Sequence, residues 1–280
     1  MQFSCTTPTK TKEEPIQEKP MGNTQSELFS FWDGFDFQDQ ASITDPDQAE
    51  QRLVDFLARF PKYSLEQVEE ALQMLFAQAS KNPIVWDYFE EKLASYLYHP
   101  NSPMYNEIYY EAVLKVLLKD ESLSSAQQQK FSALLKLVQL NKPGQAVSDF
   151  TYYTGDIAEH KFSDSKGSLR VLFFYDLTCS HCAEEIATLA QLPVLNQWID
   201  QQKIKLIAIE PLSTYADWHA HRTKIPANWI NGIDKKQNII KKQLFNLRAY
   251  PSLYLIDPAD KVILRDATAE QIIAQLAQLL

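Results

Sequence analysis

Two cysteines separated by two residues, Cys179 and Cys182, are the side chains of this chain best suited to do chemistry. Sulfur atoms at this spacing can form and break a disulfide reversibly, and a helix N-terminus stabilises the thiolate of the first one. A buried strand-like run, Leu169 to Tyr175, precedes the pair, and an amphipathic run from Ala183 to Leu192 follows it. The same spacing occurs in zinc sites, so the strand-to-helix turn is what favours thiol–disulfide exchange. We expect Cys179 to be the exposed nucleophile and Cys182 to be the buried, resolving cysteine.

His181 lies between the two cysteines, and Glu185 follows Cys182 by one helical turn. A cationic imidazole near Cys179 would stabilise its thiolate and make the pair more oxidising, so replacing His181 by proline is expected to lower the reduction potential. A partly buried carboxylate at Glu185 would relay a proton to or from Cys182. The alternatives are a solvated histidine at a helix start and a surface glutamate beside Glu184.

The elements that would position these residues begin after Asn141–Gly144, where proline and glycine break the pattern. Strands are predicted at residues 150–153, 161–162, 169–175, 204–209, 229–233, 252–256 and 262–264. Helices are predicted at residues 180–201, 216–222, 239–245 and 269–280. Pro193 is expected to kink or split the first of these helices. This order predicts an α/β sandwich with a mixed sheet and flanking helices.

The preceding residues, 44–140, have helical periodicity throughout, in five runs of apolar residues. Capping boxes are predicted at Ser64–Gln67 and Ser124–Gln127. A capping residue followed by proline predicts helix starts at Asn82–Pro83 and Ser102–Pro103. The aromatic segment Phe29–Phe37 is expected to pack onto these helices. Together they predict a mainly α-helical domain.

The charge of the chain is uneven. Residues 1–144 carry 13 Lys and Arg against 21 Asp and Glu, whereas residues 145–280 carry 14 against 15. An acidic N-terminal half argues against nucleic acid as a partner, because phosphate binding needs a basic face. Hydrophobic residues make up 45% of the chain, as in globular proteins, but no apolar run reaches the ~18 residues that a membrane-spanning helix needs. We expect no cofactor and no metal ion.

The first residues, Met1–Cys5, resemble the end of a bacterial lipobox, in which a cysteine after a small residue receives a lipid. Thr6–Thr24 is polar, contains three prolines and fits a flexible tether. These features predict peripheral membrane attachment through a lipidated Cys5, at the cell envelope and facing the periplasm. The alternative is an ordinary disordered N-terminus that contains a cysteine.

Four segments together resemble one family. They are Val147–Thr151, Val171–Tyr175, Cys179–Cys182 and Ala249–Asp257. With them, residues ~146–280 resemble thioredoxin-fold proteins, specifically the ResA/TlpA-like membrane-associated thiol-disulfide oxidoreductases. Phe31–Asp33 and His99–Met104 make the helical half similar to a helical domain of unknown function that precedes thioredoxin domains in bacterial lipoproteins.

This resemblance implies an α/β thioredoxin-like sandwich preceded by a mainly α-helical domain. The expected boundaries are 1–25 for a flexible tether or signal remnant, 26–142 for the helical domain and 145–280 for the thioredoxin-like domain. It implies an enzyme, a thiol-disulfide oxidoreductase that exchanges disulfides with extracytoplasmic proteins. Its partners would be protein thiols and disulfides and a membrane-anchored electron donor. Both directions of exchange stay open, with reduction of the partner preferred.

The resemblance also assigns Tyr250–Pro251 to the site. The proline of this fold packs beside the disulfide, and X–Pro bonds are where cis peptides occur, so we expect a cis bond; the alternative is a trans proline that begins a strand. Three positions depart from thioredoxin itself: Thr178 stands where tryptophan is common, Phe173 replaces the buried acid, and Tyr250 replaces a threonine. Glu185 matches the acid of the ResA-like subgroup. The differences concern substrate preference rather than chemistry.

Three other functions stay open. A peroxiredoxin-type peroxidase shares the fold, but its motif requires threonine three residues before the reactive cysteine, where this chain has Asp176. A copper- or metal-binding module would use Cys179, His181 and Cys182, with His219 and His221 nearby. A non-catalytic binding lipoprotein would use the thioredoxin fold as a scaffold.

Overall fold

The computed structural model describes residues 24–45 and 47–280. Cys5 and most of the predicted tether lie outside the described residues. The chain forms two compact units, one that ends at Tyr88 and one that runs from Phe89 to Leu280. Among the described residues, no helix combines the length and apolarity needed to cross a membrane.

The N-terminal region is helical, as predicted. Its helices are α1 (Thr24–Phe29), α2 (Glu50–Leu57), α3 (Leu65–Ala79), α4 (Pro83–Leu97), α5 (Glu107–Leu117) and α6 (Ser125–Gln139). Both predicted capping boxes are present, because Ser64 caps α3 and Ser124 caps α6 together with the glutamine three residues later. The predicted start at Ser102–Pro103 is wrong: α5 begins at Glu107, where the side chain of Asn106 accepts hydrogen bonds from the Ile108 and Tyr109 amides.

The aromatic segment forms part of the core of the first unit. Trp32 packs edge-on against Phe35 and Phe56, with ring centroids 5.4 and 5.6 Å apart. The guanidinium of Arg52 lies 5.3 Å from the Trp32 ring and donates hydrogen bonds to the carbonyl oxygens of Phe31 (2.6 Å) and Asp33 (2.9 Å). The burial of Trp32 and Phe56 accounts for this concentration of aromatic residues.

The C-terminal region is built on one seven-stranded mixed sheet. Its strands are β1 (Thr151–Tyr153), β2 (Glu159–Lys161), β3 (Leu169–Phe174), β4 (Ile204–Glu210), β5 (Ile230–Ile233), β6 (Ser252–Ile256) and β7 (Val262–Arg265). Its helices are α7 (Ser180–Ala190), α8 (Pro193–Asp200), α9 (Tyr215–His221), α10 (Asn238–Lys241) and α11 (Ala269–Leu279). The strand order is β2-β1-β5-β4-β3-β6-β7, with β3, β4 and β5 parallel and the other pairs antiparallel. The predicted sandwich of a mixed sheet and flanking helices is confirmed.

Strand β3 is an interior strand of the sheet, between β4 and β6, and is covered on both faces. Val171 and Phe173 belong to one hydrophobic core, and Leu172 and Phe174 belong to the other. This alternation follows from the period of two along a strand, and burial on both faces explains why the sequence reads as one apolar run.

Two predicted boundaries are informative. Pro193 does split the helix predicted for residues 180–201, because α7 ends at Ala190 and Pro193 begins α8. The helix predicted for residues 239–245 is shorter than expected, since α10 ends at Lys241. Gln243 has a φ of 50°, in the left-handed region that a right-handed helix excludes.

Candidate active site

The cysteine pair lies where β3 gives way to α7. Cys179 and Cys182 form a disulfide, with Cα atoms 5.2 Å apart. Cys179 is the N-cap of α7, and its Sγ accepts a hydrogen bond from the Cys182 amide at 3.0 Å. Cys182 is 1% exposed, whereas Cys179 is half-buried. The expected burial of Cys182 is confirmed, and Cys179 is the more accessible of the two, although half-buried rather than fully exposed.

Asp176 shapes the turn that leads into the pair. Its Oδ1 accepts hydrogen bonds from the amide and the hydroxyl of Thr178, both at 2.6 Å. Its carbonyl oxygen accepts a hydrogen bond from the Cys179 amide at 3.2 Å. This Asx-type turn positions Cys179 at the helix start. Sequence reasoning considered Asp176 only as a departure from the peroxiredoxin motif and missed this role.

Tyr250 and Pro251 lie directly beside Cys179. The bond between them is cis, as predicted. The carbonyl oxygen of Tyr250 is 3.4 Å from the Sγ of Cys179. The two segments meet because β6 pairs antiparallel with β3, so that Phe174, at the end of β3, lies opposite Ser252, at the start of β6. Burial raises the pKa of Tyr250, and the nearby carboxylates of Glu210 and Asp176 raise it further.

His181 and Glu185 are both on α7 and in different environments. The His181 side chain is 83% exposed, and its Nδ1 is 3.4 Å from the Oε2 of Glu184. Glu185 is half-buried. The described residues that line the cavity beside the disulfide include Cys182 but not Glu185. The roles predicted for His181 and Glu185 therefore stay predictions.

Glu210 is a buried acid that the sequence analysis missed. It is the last residue of β4 and is completely buried. Its carboxylate accepts hydrogen bonds from the Leu212 amide (3.2 Å) and the Ser213 amide (2.6 Å). Burial raises its pKa in spite of these hydrogen bonds, and the carboxylate of Asp176 adds to the increase. The sequence feature that could have identified Glu210 is its position directly after the predicted buried strand Ile204–Ile209.

A cavity of about 730 Å³ opens beside the disulfide, and both cysteines line it. Trp218, Asn231 and Tyr175 form part of its wall and are hydrogen-bonded to one another. The Tyr175 hydroxyl donates to Asn231 Oδ1 at 2.9 Å and accepts from Trp218 Nε1 at 3.0 Å. This volume lies in the range of small-molecule and side-chain binding pockets.

A charged cluster holds the segment that leads to Tyr250. The guanidinium of Arg248 lies 4.1 Å from the ring centroid of Tyr98 and 4.5 Å from that of Tyr105. It also lies 3.5 Å from carboxylate oxygens of Glu107 and Asp266. Residues of the α4–α5 connection therefore hold Arg248 in place, two positions before Tyr250 in the chain.

Among the described residues, no three or more His, Cys, Asp or Glu side chains form a group that could hold a metal ion. His219 and His221 take part in local hydrogen bonds: His219 Nδ1 is 3.1 Å from an Arg222 nitrogen, and His221 Nδ1 is 2.8 Å from the Asp217 carbonyl oxygen.

Comparison with known protein families divides the chain into two parts. Residues 26–141 match a domain of unknown function, DUF5106, and residues 143–265 match the AhpC/TSA family. No curated protein matches the sequence.

Comparison with solved structures identifies a relative of the whole chain. A thioredoxin-like protein from Bacteroides caccae is 31% identical, and the match covers 99% of this chain and 100% of that one with a TM-score of 0.84. The C-terminal domain of an uncharacterized protein from Bacteroides fragilis is 34% identical over 49% of this chain and 98% of that one, with a TM-score of 0.47. A conserved protein of unknown function from the same species is 32% identical over 48% and 98%, also with a TM-score of 0.47.

The full-length match and the AhpC/TSA match agree with the mixed sheet and flanking helices described above. The chain therefore belongs to the thioredoxin-like oxidoreductases, with an AhpC/TSA-family domain in its C-terminal half preceded by a DUF5106 domain.

Proposed function

We propose that this protein exchanges disulfides with extracytoplasmic proteins through Cys179 and Cys182, chiefly by reducing its clients. The main support is the difference in exposure between the two sulfur-bearing residues, since Cys179 is half-buried and Cys182 is 1% exposed. A client sulfur therefore reaches Cys179 and not Cys182. The Cys182 amide points at Cys179 Sγ from the first turn of α7, which favours a thiolate at Cys179.

The reducing direction proceeds in two displacements. The Cys179 thiolate attacks one sulfur of a client disulfide, and the other client sulfur leaves and takes up a proton. The Cys182 thiol then loses its proton, attacks the Sγ of Cys179 and releases the first client sulfur as a thiol. Two electrons pass to the client, and the Cys179–Cys182 disulfide that remains is reduced by a separate dithiol donor.

The Tyr250 carbonyl oxygen has a positioning role in this scheme. At 3.4 Å from Cys179 Sγ it can accept a hydrogen bond from the Cys179 thiol. An extended client segment at this edge would pair with the backbone next to Tyr250, as peptides do when they add to an exposed strand. His181 and Glu185 enter the proposal as the group that tunes the thiolate and the group that relays a proton.

Insulin reduction with dithiothreitol as the electron source tests the proposal. We expect the wild-type protein to accelerate insulin precipitation and Cys179→Ser to abolish the acceleration. Cys182→Ser should accumulate a mixed disulfide through Cys179, visible by mass spectrometry, because the resolving thiol is missing. Turnover that survives both serine substitutions would contradict the proposal.

Two other measurements test the alternative functions. Rapid hydrogen peroxide consumption without insulin reduction would favour a peroxidase, and stoichiometric copper after purification would favour a metal carrier.

The direction of exchange is tested by the reduction potential of the Cys179/Cys182 couple. A reductant should have a potential near the roughly −270 mV of thioredoxin rather than the roughly −120 mV of strongly oxidising pairs. Equilibration with glutathione buffers, read by thiol alkylation, gives the value. A potential above about −150 mV would reverse the proposed direction.

We further infer a location at the cell envelope, facing the periplasm, with attachment through a lipid on Cys5. The polar composition of Thr6–Thr24 and the small residue before Cys5 support this inference. Expression of the natural gene, membrane fractionation and mass spectrometry of the N-terminal peptide test it. A fully membrane-free protein with an unmodified Cys5 would exclude lipid attachment while leaving the exchange activity open.

A further inference from the structure

The cavity beside the disulfide has an apolar interior. Small side chains of α7, Ala183, Ala187 and Ala190, leave space along one wall, and Ile186 and Trp229 add apolar surface. The polar groups of the opposite wall are already paired with one another, since Tyr175, Trp218 and Asn231 hydrogen-bond among themselves. A ligand in this interior would find apolar contacts and few free polar partners.

The cavity also includes cations that lack acidic partners. Arg222 and Lys224 both line it, Arg222 half-buried and Lys224 exposed. Within residues 24–45 and 47–280, neither of them forms an ion pair with a carboxylate. The C-terminal end of α9 holds the Arg222 side chain in place, because the guanidinium donates a hydrogen bond to the His219 carbonyl oxygen at 2.7 Å.

Asp176 is the single carboxylate among the described residues that line this cavity. Its Oδ1 already accepts two hydrogen bonds from Thr178. The cavity therefore combines an apolar interior with an excess of positive charge, next to the Cys179 sulfur that would attack a client disulfide.

We propose that this cavity recognises the client polypeptide, and the proposal rests on exchange at Cys179. The cavity takes a bulky apolar side chain next to the client cysteine, and Arg222 and Lys224 bind an acidic residue of the same segment. Neighbouring residues of a chain are 3.8 Å apart at Cα, so a client cysteine bonded to Cys179 places its neighbours at the cavity mouth. Complementary charge at such a rim selects partners and speeds their association.

Two synthetic peptides test the apolar and the charged part together. Each is a mixed disulfide with a fluorogenic thiol; one contains Phe-Cys-Glu and the other Gly-Cys-Gln. We expect the reduced wild-type protein to react with the first peptide about tenfold faster per unit concentration, mainly through a lower KM. Equal rates for the two peptides would overturn the proposal.

The charged rim is tested by replacing Lys224 and Arg222, one at a time, with glutamine. Lys224→Gln and Arg222→Gln should each lower the preference for the first peptide roughly twofold, with smaller effects at high salt. Lys203→Gln is the matched control, because Lys203 is also exposed and lies away from the cavity lining. An effect of Lys203→Gln equal to that of Lys224→Gln, or a changed reduction potential in the Arg222 variant, would contradict direct recognition.

The apolar interior is tested by filling it. Ala187→Phe places a ring in the cavity from an exposed helix position and should abolish the preference, whereas Thr188→Phe, exposed on the same helix and outside the lining, should preserve it. If these variants slow the reaction with glutathione disulfide and leave the rates with both peptides unchanged, the cavity binds a small thiol and the proposal fails.

If the wild-type protein reacts with neither peptide, nor with insulin, exchange itself is refuted.

Discussion

At the scale of single residues, the ionisable groups near Cys179 fall into an exposed set and a buried set. The His181 imidazole and the Glu184 carboxylate face solvent, where water and salt weaken their fields. Glu210 is completely buried and hydrogen-bonded to two backbone amides. The two sets should affect different properties: the first the reduction potential, the second the pH dependence of stability.

We predict that His181→Gln lowers the reduction potential by no more than about 20 mV. The imidazolium form favours the Cys179 thiolate, but exposed charge pairs contribute only about 0–1 kcal/mol, and about 1.4 kcal/mol corresponds to 30 mV. Redox titration against glutathione measures the change. Glu184→Gln should move the potential the opposite way, and a fall beyond about 60 mV in the His181 variant would mean that the imidazole is not screened.

We predict that the stability of the wild-type protein, relative to Glu210→Gln, decreases as the pH rises above about 4.5. Burial holds the pKa of Glu210 above its value in the unfolded chain. Folding therefore takes up a proton, and this contribution is complete below the unfolded pKa and lost as the pH rises through the folded one. Urea denaturation of both proteins, at about ten pH values between pH 4 and pH 8, measures the difference in their free energies of unfolding. The prediction is refuted if this difference does not change with pH, which is the result expected for the exposed control Glu184→Gln.

Residue types and spacing were enough to predict the chemistry of the cysteine pair, and the family resemblance added the cis bond at Pro251. They were not enough to find Glu210, Asp176 or Arg222. Glu210 acts through amides of the turn that follows β4, and Arg222 matters because it faces a cavity. The Glu210 contacts are local, two and three residues along the chain, but hydrophobic periodicity does not encode turn geometry; the Arg222 relation depends on distant segments that meet around the cavity.

At the scale of elements, a buried arginine ties the β6–β7 hairpin to β3. Arg170 is completely buried, and its guanidinium donates hydrogen bonds to Asp260 Oδ1 (2.7 Å) and to the Asp257 carbonyl oxygen (2.6 Å). Lys166 also pairs with Asp260, at 3.0 Å, and is mostly exposed. The hairpin predicted around Asp257–Asp260 is present, but its ionic anchor was not apparent from the sequence.

We predict that Asp260→Asn lowers the free energy of unfolding by about 3 kcal/mol, because it leaves a buried guanidinium without its charge partner. Asparagine tolerates the φ of 70° at this position, so the backbone is preserved. Lys166→Gln removes the exposed partner of the same carboxylate and should cost less than about 1 kcal/mol. Urea denaturation at neutral pH compares them, and equal losses would contradict the role given to Arg170.

The contribution of Asp260 to stability also depends on pH. Burial alone would raise its pKa, but hydrogen bonds and charge from Arg170 and Lys166 outweigh this and hold the pKa below its usual value. The stability it contributes is therefore present above about pH 4 and lost as the pH falls below that value. The Asp260→Asn variant should lack this part of the acid sensitivity.

At the scale of the whole molecule, residues on either side of the family boundary near 142 belong to one compact unit. Phe89–Leu280 contains α5 and α6 of the DUF5106 match as well as the complete sheet. Glu107 of α5 accepts a hydrogen bond from Asn246 at 2.8 Å and pairs with both Arg248 and Arg265. Arg265 in turn donates hydrogen bonds to the carbonyl oxygens of Val138 and Leu140.

We predict that Glu107→Gln lowers the free energy of unfolding of this unit by about 3–5 kcal/mol, because two largely buried guanidinium groups lose their shared carboxylate. Such a loss is a large part of the roughly 5–15 kcal/mol that stabilises a typical protein. Denaturation monitored by circular dichroism measures it. Glu121→Gln, an exposed change of the same kind, should have little effect; a similarly small effect of Glu107→Gln would show that the cluster is not needed for stability.

The pairing of Phe174 with Ser252 limits the insertions and deletions that this sequence can accept during evolution. Length changes confined to the loops between the two strands, away from Cys179, Tyr250 and the paired strands β4 and β5, should leave the approach of the Tyr250 carbonyl to Cys179 intact. One extra residue inside either strand would slide the partners by about 3.3 Å and turn inward-facing side chains outward. Related chains should therefore differ in the lengths of these loops while keeping the length of each strand and the register that brings Tyr250 to Cys179.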